Sequence, residues 1–195
     1  MARWEPGTSD RLRAAALDLF VEQGFEQTTS AEIAHAAGVT ERTFFRHFRD
    51  KREVLFGGQD QLELAFVTGI RDAPAGAPPL DLVAAALDSA AQFFTDERRA
   101  SSRVRQTVVD ANPALQERER HKLASVAAVL RTELHAHGVP EPAARLAAES
   151  GATVFSISFA QWIAPGEERG MREIADGVLG ALVSLTGAGA AEMEA

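Results

Sequence analysis

The chain has 195 residues, enough for one large domain or for a small module joined to a larger one. With 46% hydrophobic and 25% charged residues it is neither disordered nor fibrous, and the absence of cysteine excludes disulfides, thiolate zinc sites and cysteine nucleophiles. A net charge of −8 excludes a globally cationic partner of nucleic acid, but binding by counterion release depends on where cations sit rather than on their sum.

The opening residues, MARWEPGTSDRLR, hold no apolar run of the kind a secretion signal needs. Leu12, Ala15, Ala16, Leu19 and Phe20 then recur at helical spacing and predict a helix over 10–23, stopped at Gly24 with Phe25 as the hydrophobic contact of its cap. Thr29 and Glu32 have the spacing of a capping box, which predicts a short helix over 30–37 ended by Gly38. Thr40 caps a third helix reaching Phe48, and Asp50 with Glu53 repeats the capping-box spacing to open a fourth.

Two short helices joined by Ala37, Gly38 and Val39 form a helix-turn-helix. Helical periodicity puts Ile33, Ala34, Ala37, Val39, Phe44 and Phe48 on its inner face and Glu41, Arg42, Thr43, Arg46 and His47 on its outer one. Charge follows the same division. Between Arg42 and Arg52 five cations (Arg42, Arg46, Arg49, Lys51, Arg52) meet one anion, Asp50; subtracting these from the chain's 20 cationic and 28 anionic residues leaves 15 against 27 elsewhere. A run of charge on a helix is ordinarily a solvated face. Here it lies on the exposed side of a helix-turn-helix, which favours a nucleic-acid surface.

After Phe56 the chain becomes Ala-rich and amphipathic with no strand-like alternation. Residues 69–79, GIRDAPAGAPP, form the one connector rich in Pro and Gly, and helices are expected over 80–96, 97–111, 113–137, 142–164 and 171–186. The longest uncharged run, residues 150–166, falls short of the roughly 20 apolar residues a bilayer span needs, so a cytoplasmic chain with no membrane partner is expected. The expected fold is all-α: a three-helix helix-turn-helix domain over residues 1–56, then a helical domain over 57–195. His135 and His137 are two apart and so diverge on a helix, and the residues present no catalytic constellation; no metal, cofactor or enzymatic activity is expected.

From Thr28 to Phe56 the stretch TTSAEIAHAAGVTERTFFRHFRDKREVLF resembles the DNA-binding domain of the TetR family of bacterial transcriptional regulators. About thirty contiguous residues agree in helix, turn and cap, so the resemblance is specific. It implies a dimeric repressor that binds a palindromic operator and is released by a small-molecule effector. By position, Thr29, His47 and Lys51 would contact phosphate, and Thr40, Arg42 and Thr43 would face base edges or nearby phosphates; Arg46 shares their outward face. Phe45 stands where the family usually has Tyr, which implies van der Waals contact with the DNA backbone in place of a hydrogen bond. Arg42 replaces a commonly small residue, and an arginine there suits bidentate contact to guanine.

The same resemblance implies an effector pocket near Phe93, Phe94, Arg103, Gln106, Phe155, Phe159 and Trp162, although ordinary core packing accounts for most of these residues equally well. The TERTFFRHF variant is similar to that of regulators with acyl-CoA-like pockets, which identifies no inducer. The resemblance further implies that the last two long helices form a dimer interface, with Ala148, Ala152, Phe155, Phe159, Ile174, Val178 and Leu182 in it; the competing reading is burial inside one monomer. A DNA-binding regulator with no small-molecule response, or a helical enzyme with an unrecognised site, remains the alternative.

Overall fold

The structure, a computed structural model, describes residues 7–193, with side chains as far as Leu185. The regular elements of the described residues are all helices, with no strand. In chain order the helices are α1 (Thr8–Gln23), α2 (Ser30–Ala36), α3 (Glu41–His47), α4 (Glu53–Phe56), α5 (Gln59–Arg71), α6 (Pro79–Ala91), α7 (Asp96–Asp110), α8 (Pro113–Ala136), α9 (Ala143–Trp162) and α10 (Met171–Met193). They form two compact units. The first comprises Met1–Gln59 and Ser101–Glu119, the second Asp60–Ala100 and Arg120–Ala195.

The first unit closes over Leu12, Phe20, Ile33, Phe44, Phe48, Phe56 and their neighbours, with Val108, Val109 and Leu115 in the same core. Its short helices, of seven residues or fewer from α2 to α4, gain little from intrinsic propensity and depend on caps and on this packing. The α2 box forms as expected: Glu32 N–H donates to Thr29 Oγ1 at 3.2 Å, and Thr29 N–H donates to Glu32 Oε2 at 2.8 Å. At its other end Val39 N–H reaches the Ala34 carbonyl and Gly38 N–H the His35 carbonyl, a Schellman closure. That closure needs the positive φ of 69° that Gly38 takes without a Cβ penalty.

The box expected at α4 forms by half. Asp50 Oδ1 accepts from the Arg52 and Glu53 amides at 2.8 and 3.1 Å, but Glu53 does not reach back; its carboxylate takes the Arg118 guanidinium at 3.1 Å instead. An ion pair outcompetes the reciprocal amide, and α4 begins at Glu53 rather than directly after the Asp50 cap.

In the second unit α9 lies against α6 and α10, and α10 also packs on α6. Helix α5 was not among the expected elements, yet Leu62, Ala65, Phe66, Gly69 and Ile70 give it a buried stripe at helical spacing. The connector is correspondingly shorter than expected, since α5 runs on to Arg71. The reason lies in Gly69. A Cβ there would stand 2.7 Å from Ala85 C and Ala86 Cα, so this glycine permits close approach of two helix backbones and does not turn the chain. Gly151 does similar service in α9, where a Cβ would meet Val83 at 3.0 Å and Leu130 at 3.1 Å.

Candidate functional site

Helix α3 presents the candidate nucleic-acid surface. Phe44 is fully buried and Phe48 nearly so, which pins one side of the helix to the core and fixes the other outward. Thr40 caps it, its Oγ1 accepting from Thr43 N–H at 3.2 Å and lying 3.0 Å from Thr43 Oγ1. Arg42, Arg46 and His47 are exposed, and Thr43 is half-buried. Among the described residues Arg42, Arg46 and Arg49 have no ion-pair partner, unlike Arg52, whose guanidinium holds Asp50 at 2.7 Å. Burial pushes the Asp50 carboxyl up, but the Arg52 hydrogen bond and the Glu53 and Arg52 amides outweigh it and leave Asp50 below the ordinary value. Phe45 is 51% exposed and stands edge-on to Phe44 at 5.3 Å, an aromatic ring displayed among arginines.

Two of the expected phosphate contacts are engaged within the chain. Lys51 Nζ donates to the carbonyls of Phe25, Glu26 and Thr28 at 2.7, 3.1 and 2.9 Å, and lies 4.5 Å from the Phe25 ring centroid. An ammonium has three N–H donors, so all are spent. Lys51 therefore staples the loop before α2 to the approach to α4 through its hydrogen bonds, while its positive charge stays on this side of the unit. Thr29 is exposed, but its hydroxyl donates to Glu32 Oε2 at 2.8 Å. The Thr29 amide, followed by its hydroxyl, holds the Glu32 carboxyl below the ordinary value.

The expected pocket residues separate. Phe94, Phe155, Phe159 and Trp162 form an aromatic cluster in the second unit, with ring centroids 5.5 to 6.4 Å apart, and Phe93 packs against the same core. Arg103 and Gln106 belong to the first unit, where Gln106 donates to Asp110 at 2.8 Å. Sequence reasoning passed over Arg99, which is 7% exposed, donates to Asp96 and to the Glu167 and Arg169 carbonyls, and lies 5.2 Å over the Trp162 ring. With arginine so frequent in this chain, nothing marked it out.

The expected interface residues fall largely inside the second unit. Ala148, Ala152, Phe155 and Ile174 are buried in its core, while Phe159, Val178 and Leu182 are half-buried against it. Ile174, Val178 and Leu182 also line a groove of about 680 Å³ on the outward face of α9 and α10, whose rim includes Leu146, Ile157 and Leu185, exposed by 66, 44 and 77%. Residues 146, 150, 153 and 157 repeat at helical spacing. This second stripe is written at helical spacing beside the first, small-residue stripe.

Among the described residues there is no group of three or more acidic, histidine or cysteine side chains that could hold a metal, and no helix is long and apolar enough to cross a membrane.

The sequence profile described as "Bacterial regulatory proteins, tetR family" matches residues 12–56. The HTH-type transcriptional regulator TcmR of Streptomyces glaucescens is 43% identical over 79 residues, which are 40% of this chain and 35% of that protein. The match thus spans about a third of that relative's length. In fold the chain is similar to Thermus thermophilus FadR, a TetR-family transcriptional repressor solved in complex with lauroyl-CoA; the TM-score is 0.53 at 21% identity, covering 90% of this chain and 93% of that one. It is also similar to AibR solved with isovaleryl coenzyme A and operator DNA, with a TM-score of 0.51 at 19% identity and coverage of 89% and 97%.

Proposed function

We propose that this chain, which belongs to the TetR family of bacterial transcriptional regulators, is a repressor that binds a palindromic operator as a homodimer and releases it when a small-molecule effector binds. It is a regulator and not an enzyme. The observation that carries the reading is the outer face of α3, where Arg42 and Arg46 stand exposed with no internal ion pair beside an exposed Phe45. Unpaired arginines on an exposed helix face supply both phosphate attraction and bidentate base contact. Thr40, Thr43 and His47 flank them, and Phe45 adds apolar contact to sugar or thymine methyl. Residues 1–56 would carry this surface, and 57–195 the effector and dimer functions.

A single seven-residue helix makes few base contacts, and duplication at two half-sites multiplies them. The exposed apolar groove of α9 and α10 supports such pairing, since a lone chain leaves Leu146, Ile157 and Leu185 in water. The bound coenzyme A thioesters of two proteins of similar fold support a ligand response. Induction is then a population shift, with the effector favouring the dimer state that fits the operator less well. The place of action is the cytoplasm, where the operator is.

The test is Arg42→Ala on a duplex enriched from a random library by the wild-type chain. Loss of about 1–3 kcal/mol of affinity for that duplex, with little change on a scrambled one, is expected for a guanine contact. Equal losses on both would remove Arg42 from base reading.

A further inference from the structure

Two buried donors in the second unit have no match in its packing. Ser158 and Trp162 are fully buried, and among the described residues neither the Ser158 hydroxyl nor the Trp162 indole N–H has a hydrogen-bond partner. A helical hydroxyl ordinarily returns to the carbonyl four residues back, as Thr153 does to Glu149 at 2.9 Å; Ser158 does not. Buried polar groups are nearly always satisfied, so two exceptions four residues apart on one helix face require a cause.

Phe155, Ser158 and Trp162 recur at helical spacing and share that face of α9. Across Phe155 and Trp162 lies Phe94, with its ring centroid 5.6 and 5.5 Å from theirs and 5.6 Å from that of Phe159. Phe94 belongs to neither α6 nor α7 but to the short link between them, and it is half-buried where Trp162 is fully so. A half-buried apolar ring on a non-helical link thus packs on Phe155 and Trp162, the two residues that flank Ser158 on this face of α9.

We propose that Phe94 is a plug, and that the place its ring fills belongs to an apolar ligand bearing an uncharged carbonyl oxygen. The ligand's apolar body takes over the contacts with Phe155, Phe159 and Trp162, and its oxygen accepts from the Trp162 N–H and the Ser158 O–H. An anionic group does not suit this spot. The nearby cation, Arg99, already holds the Asp96 carboxylate at 2.7 Å and two backbone carbonyls, so a carboxylate or phosphate here would lie buried without a counter-charge. The same arginine, stacked on Trp162, fixes the indole before any ligand arrives. Calling this ligand the effector rests on the reading of the chain as ligand-responsive; the site itself does not.

Calorimetric titration of the full chain with acetophenone and with ethylbenzene, near-isosteres that differ by the carbonyl oxygen, tests the site. Phe94→Ala vacates a ring-sized space beside the donors, and acetophenone should bind it about tenfold more tightly than ethylbenzene. Adding Ser158→Ala or Trp162→Phe should bring the ratio toward one. Phe94→Leu, a milder change, should show the same preference to a smaller degree. Equal binding of the two probes, or binding of neither, by the folded Phe94 variants would overturn the proposal. Operator binding measured alongside separates the two readings: a carbonyl preference without any change in DNA affinity leaves the site and removes the effector, whereas release by some other compound without that preference does the reverse.

Discussion

A lysine whose three N–H bonds all end on carbonyls of its own chain has none left for a phosphate. Lys51 is such a residue, and its acceptors on Phe25, Glu26 and Thr28 lie 23 to 26 positions away, beyond the reach of any local pattern. Lys51→Ala should lower the unfolding free energy by about 2 kcal/mol, because charge-assisted bonds are lost and three carbonyls are left to water. The slope of operator affinity against salt should stay as it was; a slope flattened by about one counterion would return Lys51 to the phosphate contacts. Arg42 is the opposite case, with no ion-pair partner among the described residues. Its outward direction was legible because Phe44 and Phe48 mark the buried side of α3 four residues apart, whereas the internal claim on Lys51 left no trace in spacing.

Among the helices, those with strong punctuation could be read and those without it could not. Caps at Thr29, Gly38 and Thr40 gave α2 and α3 to within a residue of their bounds. Helix α5 escaped because Gly69, which signals a turn in isolation, serves a backbone crossing against Ala85 and Ala86. Gly69→Ala should cost about 3 kcal/mol in chemical unfolding, since the obstacle is backbone and not a flexible side chain. A neutral result would mean that α5 and α6 shift apart freely. In the link between α9 and α10, the hydrogen bond from the Arg169 guanidinium, with the Arg169 amide next, holds the half-buried Glu167 carboxyl down to about 2 from an ordinary value of 4.5. A folded-state value below the unfolded one means that the contribution is complete above about pH 4.5 and is lost as pH falls toward about 2. Glu167→Gln should therefore narrow its deficit against wild type across that interval in thermal melts. A deficit that stays constant with pH would mean the carboxylate is not coupled to folding.

At the scale of the whole chain, the sequence indicated an all-helical protein with a helix-turn-helix at its front, and the structure agrees. It did not indicate that residues 101–119 join the first compact unit, because Val108, Val109 and Leu115 enter that core by contacts far apart in sequence. The aromatic residues of the second unit were expected near a pocket from the resemblance, but Ser158 was not, since it shows itself only through the partner it lacks. The outward stripe of Leu146 and Ile157 on α9 was written at helical spacing, yet only burial shows which of two apolar stripes faces away from the chain's own core.

The central claim is that the α3 surface is presented to DNA twice, and the number of chains bound to one enriched duplex tests it most directly. Native mass spectrometry of the complex, with hydroxyl-radical footprinting of the same duplex, should find an even number of chains and protected half-sites in inverted repeat, about one helical turn or a multiple of it apart. A single chain protecting a single site, or a random library that yields no enriched sequence, would contradict the account.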